Sequence, residues 1–201
     1  MKVIVMGGTG TIGGAVVAAL KQKHDVVVVG KTTGDIKTDM TNVREIEAMY
    51  REVGRIDAVV ITLGNVHFDA LPAMTAEKYN IGLQNKLLGS VNLVLTGLHY
   101  MNDGGSFTLT SGILNREFIA MGSGAAMVNG ALDGFVKAAA CEMPRGIRIN
   151  IVSPTVVEEA MDVYADYFPG FIPVPAARVA KAYVKSVEGI ETGRIYCVGS
   201  L

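Results

Sequence analysis

A cluster of basic residues is missing from this chain: its 18 lysines and arginines are scattered and offset by 19 acidic residues, for a net charge of -1. Without a basic stripe there is no electrostatic footprint for nucleic acid or an anionic membrane surface, so a small-molecule partner is expected. Cysteine is scarce as well. Cys141 and Cys197 are the only two, far apart and outside any Cys-x-x-Cys or Cys/His spacing. That spacing argues against a disulfide framework and a zinc site and predicts two reduced, buried thiols. His24, His67 and His99 share no ligand spacing either, and no metal site is expected. No apolar run is long enough for a signal peptide or a membrane span, since Lys2 leads into Val3 to Met6 and then into glycines. A cytoplasmic location is the expectation.

Half of the 201 residues are apolar and only 18% are charged, enough to bury one sizeable core in a single domain spanning residues 1–201. Short apolar runs alternate with segments of helical period. We read strands at Val3 to Met6, Val26 to Val29, Asp35 to Thr38, Ala58 to Thr62, Ser106 to Thr110, Arg148 to Val152 and Arg194 to Val198. Their continuous apolar character suits strands covered on both faces. Ile12, Ala15, Val16, Ala19 and Leu20 form one helical stripe, and Val43, Ile46, Met49, Tyr50 and Val53 another that stops at Gly54. Longer helices are expected over Gly82 to Met101, Gly122 to Met143 and Ala176 to Val187. Thr155 to Val174, broken by Pro169 and Pro173, reads as a loop or lid. The alternation predicts an α/β fold: one doubly wound domain with a parallel sheet of about seven strands and helices on both faces.

Gly8-Thr9-Gly10-Thr11-Ile12-Gly13 matches G-x-G-x-x-G, and Gly7, Gly10 and Gly13 also fit G-x-x-G-x-x-G. The pattern follows a strand and opens a helix, the context in which such a turn binds a dinucleotide pyrophosphate on backbone N–H groups and the positive helix end. The domain is therefore of the Rossmann type. At the end of the second strand, where a carboxylate would accept from a ribose 2′-hydroxyl, stand Lys31, Thr32 and Thr33. A lysine and two hydroxyls suit a 2′-phosphate, so NADP(H) is the expected cofactor.

With these elements in place the chain resembles the short-chain dehydrogenase/reductase family along its whole length. Thr38-Asp39-Met40-Thr41 is similar to the family's "D-V-T" element, which implies that the Asp39 side chain and the Met40 backbone border the adenine. Asp57 to Gly64 resembles the "D-V-L-V-N-N-A-G" strand, implying that Leu63 and Gly64 lie against the cofactor. Gly146 to Pro154 resembles the segment ending in "S-P-G" beside the nicotinamide, with Thr155 in place of the last Gly. Gly193-Arg194-Ile195-Tyr196 is similar to the final strand.

The family's Asn-Ser-Tyr-Lys catalytic set is mostly replaced. Counting back from Ala140-Cys141-Glu142 puts Asn129 at the Lys position and Ala125 at the Tyr position, and no Tyr-x-x-x-Lys occurs. Thr110-Ser111-Gly112 stands where the family has Ser-Ser, and Lys86 falls at the Asn position. Ser111 and Lys86 are thus the catalytic candidates, with Tyr164 and Tyr167 in the lid as other hydroxyl sources. Without the tyrosine acid, reduction of plain ketones should be impaired. The resemblance implies an NADP(H)-dependent oxidoreductase with a rebuilt site, suited to quinones or activated enones; the alternative is a catalytically silent NADP(H)-binding sensor or interaction protein. It also implies a homodimer or homotetramer built through the two long helices.

Overall fold

Val3, Ile4, Val5 and Met6 are all fully buried, as an apolar run must be when helices cover both faces of its strand. The computed structural model describes residues 1–199, so the last two residues of the expected domain lie outside the described residues. Seven strands form the sheet: β1 (Lys2–Met6), β2 (Asp25–Gly30), β3 (Ile36–Lys37), β4 (Ile56–Ile61), β5 (Met101–Thr110), β6 (Arg148–Pro154) and β7 (Ile195–Val198). All pairings are parallel, in the order β3-β2-β1-β4-β5-β6-β7. The chain winds outward from β1 to β3 and returns to place β4 on the other side of β1. The connections leaving β1 and β4 therefore part at their carboxyl ends, which opens a crevice there.

Helices α1 (Thr11–Leu20) and α7 (Ala176–Glu188) cover one face through Val16, Leu20, Val179 and Tyr183. On the other face lie α2 (Val43–Val53), α4 (Gly89–Gly97) and α5 (Ser123–Ala140), which bring Ile46, Tyr50, Leu93, Val128 and Leu132 into the larger core. Asn42 caps α2 by accepting from the Arg44 N–H, and Gly54 ends it at φ +77°. Among the described residues no helix is long and apolar enough to cross a membrane.

Several boundaries differ from the sequence expectations. The helix expected from Gly82 to Met101 begins earlier, at α3 (Ala76–Gly82), because Thr75 accepts from the Lys78 N–H and starts it. It passes through a π-helical stretch, Leu83–Leu88, and ends with α4 at Gly97, so that Met101 opens β5 with its side chain in the core. The third strand shrinks to Ile36–Lys37; the Asp35 carboxylate instead accepts from the Val28 N–H. The segment read as a loop or lid carries a four-residue helix, α6 (Met161–Tyr164), between short 3₁₀ turns at Glu158–Ala160 and Ala165–Tyr167. Both cysteines are exposed rather than buried: Cys141 follows the end of α5 and Cys197 lies on β7, the edge strand.

Tyr50 ties the α2–α4 layer together. Its buried hydroxyl donates to the Leu93 carbonyl at 2.7 Å, and a Cβ on Gly97 would stand 2.6 Å from the Tyr50 hydroxyl oxygen. A buried neutral hydrogen bond contributes about 1 kcal/mol. Tyr50→Phe should therefore lower unfolding free energy by about that amount with an unchanged slope in urea, measured by circular dichroism; an unchanged midpoint would show that the bond contributes nothing.

Candidate active site

The crevice at the carboxyl ends of the strands is a cleft of about 680 Å³, a size usual for small-molecule and cofactor sites. Gly7, Thr9, Gly10, Thr11, Ile12 and Gly13 form its floor on the β1 side. Gly7 takes φ +81°, open to glycine at little cost, and its carbonyl accepts from the Gly10 N–H at 2.9 Å. Gly13 packs so tightly that an added Cβ would lie 2.0 Å from the Gly7 oxygen. This close approach sets the start of α1 against the strand end, leaving bare backbone where an anionic phosphate can reach the helix N-terminus. The turn fits a pyrophosphate.

At the β2 end Lys31, Thr32 and Thr33 also line the cleft. The Thr33 hydroxyl donates to the Thr9 hydroxyl at 3.2 Å, tying this loop to the glycine turn. Lys31 Nζ lies 2.7 Å from the Asp39 carboxylate, a pairing that the sequence reading did not anticipate. The Thr41 backbone N–H and hydroxyl both donate to the Asp39 carboxylate and join Lys31 in holding its carboxyl down to about 2. Asp39 and Met40 are not among the lining residues: Asp39 reaches the cleft only through Lys31, and Met40 is buried beneath Gly89.

The opposite end of the cleft gathers Leu63, Gly64, Lys86, Ser111, Ala125, Asn129 and Pro154. Lys86 sits in the π-helical stretch, and its stem crosses Gly64 so closely that a Cβ there would be 2.5 Å from its Cγ. Its ammonium donates to the Ser111 carbonyl at 2.8 Å and to Asn129 Oδ1 at 2.7 Å. Asn129 is in turn oriented by donating from Nδ2 to the Gly112 carbonyl at 3.3 Å. Burial pulls the Lys86 ammonium down to about 8, opposed by the carboxylate of Asp133 one turn along α5. Two hydroxyls lining this end, Ser111 Oγ and Thr155 Oγ1, are buried without a partner. Sequence reasoning found Lys86 and Ser111 but missed Asn129 as the partner of Lys86 and Thr155 as a lining hydroxyl.

Apolar and aromatic side chains also line the cleft. Val66, Phe68, Leu114, Val157, Tyr164 and Phe168 line it, with Phe68 and Tyr164 rings 6.4 Å apart and Tyr164 edge-on to Phe168 at 6.4 Å. Tyr167 stands behind this wall, against Phe68 and Tyr164, and does not line the cleft. Nor does His67, which lies 3.7 Å from Asp69. Among the described residues no group of three or more His, Cys, Asp or Glu is placed to hold a metal.

Comparison with known proteins agrees with this architecture. Residues 3–192 match the family model described as "Enoyl-(Acyl carrier protein) reductase". The crystal structure of the protein lin1944 from Listeria innocua superposes with a TM-score of 0.97 at 48% identity, covering 98% of this chain and 99% of that one. A small-chain dehydrogenase crystallised in complex with NADPH superposes at 0.88 with 25% identity over 99% and 96% of the two chains. An uncharacterized oxidoreductase of Methylorubrum extorquens is 28% identical over 113 residues, 56% of this chain and 46% of that one; the chain thus matches about half the length of this curated relative.

The depressed pKa gives Lys86 a signature of its own. After reductive ¹³C-methylation, its methyl resonance should titrate with a midpoint near 8, while exposed lysines titrate near ~10.4. Asp133→Asn should move that midpoint lower. A Lys86 midpoint in the range of surface lysines would contradict the enclosed geometry.

Proposed function

The chain belongs to the short-chain dehydrogenase/reductase family, and on that premise we propose that it is an NADP(H)-dependent oxidoreductase acting on uncharged, conjugated carbonyl compounds such as quinones or activated enones. The observation that carries this reading is the Lys86 ammonium, held on the Ser111 carbonyl and Asn129 Oδ1 at the cleft wall. An ammonium has three donors, and two are taken. The third is left for an oxygen atom in the cleft, with the unpartnered Ser111 hydroxyl as a second donor at the same end.

The glycine turn, Lys31, Thr32 and Thr33 hold the pyrophosphate and adenosine phosphate, while Leu63, Gly64 and Pro154 flank the nicotinamide. The NADPH complex of the 25% identical dehydrogenase supports this choice of cofactor. Bound and reduced, the nicotinamide supplies a hydride to the substrate. Lys86 stabilises the negative charge that develops on the substrate oxygen and delivers a proton to it, an electrostatic role that needs a fixed donor in a site sheltered from water. At about 8 its proton is held at neutral pH yet given up more readily than that of a surface lysine. Ala125, at the family's Tyr position, offers no acid. A saturated ketone becomes a strongly basic alkoxide and needs a full proton; a conjugated substrate spreads the charge over its own π-system and depends less on the acid. Apart from Lys31 and Lys86 the lining carries no charge, and Phe68, Leu114 and Phe168 suit a flat, uncharged ring.

We also propose a homodimer or homotetramer through α4 and α5, because Leu88, Leu95 and Met127 are exposed there beside Gly130 and Gly134, above which nothing stands within 4 Å. The protein is proposed to act in the cytoplasm on a small molecule, without nucleic acid or membrane partners.

Two measurements test these readings. NADPH oxidation, followed by absorbance, should proceed with quinones and enones and run about 10²-fold slower or worse with plain ketones; Lys86→Met should cost about 10²–10³-fold and Ser111→Ala less. The rate should also fall as pH rises through about 8, where Lys86 loses its proton. Brisk turnover of plain ketones would point to another donor such as Tyr164, and tight NADPH binding without any turnover would make the chain a binding protein or sensor. Light scattering at micromolar concentration should give a dimer or tetramer that Gly134→Arg dissociates; a monomeric wild type would refute the assembly.

A further inference from the structure

We propose that Asp39 is a specificity-determining residue, which tempers the preference for a 2′-phosphorylated cofactor by holding Lys31 in an ion pair that the phosphate has to displace. The proposal rests on the NADP(H) reading above. Lys31 lines the cleft whereas Asp39 does not, and the two meet at 2.7 Å. One partner is fixed and the other is free to move. Asp39 Oδ1 accepts from the Thr41 N–H at 2.9 Å and from its hydroxyl at 2.8 Å, and the Asp39 N–H donates to Glu45 Oε2 at 2.8 Å. The Lys31 side chain is 67% exposed on a flexible four-carbon stem with no other charged partner in contact.

A ligand phosphate at the end of β2 therefore competes with an anchored carboxylate for one ammonium. Two unfavourable effects act on it: the loss of the Lys31–Asp39 contact, and repulsion from the Asp39 and Glu45 carboxylates, which stay near Lys31 after it turns. The carboxyl of Asp39, held at about 2, remains charged throughout the working range. A ribose carrying only hydroxyls meets neither obstacle, because it needs no cation. The ion pair thus narrows the gap between the two cofactors instead of widening it.

The test is calorimetric titration of the whole chain with 2′,5′-ADP and 5′-AMP, which share every group except the 2′-phosphate. Asp39→Asn keeps an oxygen to accept from Thr41 and removes only the charge. It should raise the affinity for 2′,5′-ADP relative to 5′-AMP by about three- to tenfold, somewhat more than an exposed pair alone contributes; the ratio cancels any contact of Asp39 with the adenosine that the two share. In a Lys31→Met background the gain should vanish, and in 1 M salt it should shrink. An unchanged or smaller ratio of 2′,5′-ADP to 5′-AMP affinity in Asp39→Asn would overturn the proposal, equal loss of both nucleotides included, which would mark Asp39 as a turn or adenosine-contact residue only. A wild type that binds the two nucleotides equally would instead sink the NADP(H) preference. A wild type that discriminates but is indifferent to Asp39→Asn would sink this proposal alone.

Discussion

The contact of Gly13 with the Gly7 carbonyl is the constraint on which the cleft depends. With any side chain at position 13 the first helix turn would have to back away from β1, since even a Cβ would stand 2.0 Å from that oxygen. Helix α1 is also half of the layer that it shares with α7 over the sheet, so displacing it would disturb the core around Val16, Leu20 and Tyr183 as well as the phosphate site. One close approach therefore couples stability to binding. It explains why the turn is rich in glycine although glycine weakens helices and strands by about 0.5–1 kcal/mol per position.

At the other end of the cleft the organising element is a positive charge. The amine arises from the π-helical stretch at Lys86, and the amide that holds it comes from α5 at Asn129. Their direct hydrogen bond at 2.7 Å keeps an ammonium at the cleft. The stem of Lys86 needs a clear path across Gly64, and the widened π turn presents the residue to the cleft. π-Helical turns recur at functional sites for this reason: an extra residue in the turn re-aims a side chain that a regular helix would direct elsewhere.

Burial of that amine has an electrostatic cost that the surroundings only partly offset. Two oxygen acceptors satisfy it and the Asp133 carboxylate favours its charge, yet enclosure still lowers its pKa. Phe68, Tyr164 and Phe168 line the same cleft and add apolar, aromatic surface to it.

Much of the fold was legible in the chain because it is encoded by short-range pattern. Short runs located six of the seven strands to within two residues at each end, whereas β5 was read only from Ser106 although it begins at Met101; stripes of helical spacing located α1 and α2, and the glycine spacing after β1 located the turn. What the tertiary structure alone decided involves residues distant in sequence. Lys86 and Asn129 are separated by 43 positions, and no periodicity ties them; read by itself, a lysine on an amphipathic helix is a solvated one. Lys31 looked free for a phosphate until the parallel pairing of β2 with β3 set Asp39, just past the end of β3, beside it. The cysteines looked buried by residue type, but exposure depends on where the sheet ends, and Cys197 lies on its last strand. Local sequence sets the period and the turn; which side chains share a charge, a proton or a surface is set by how the finished layers pack.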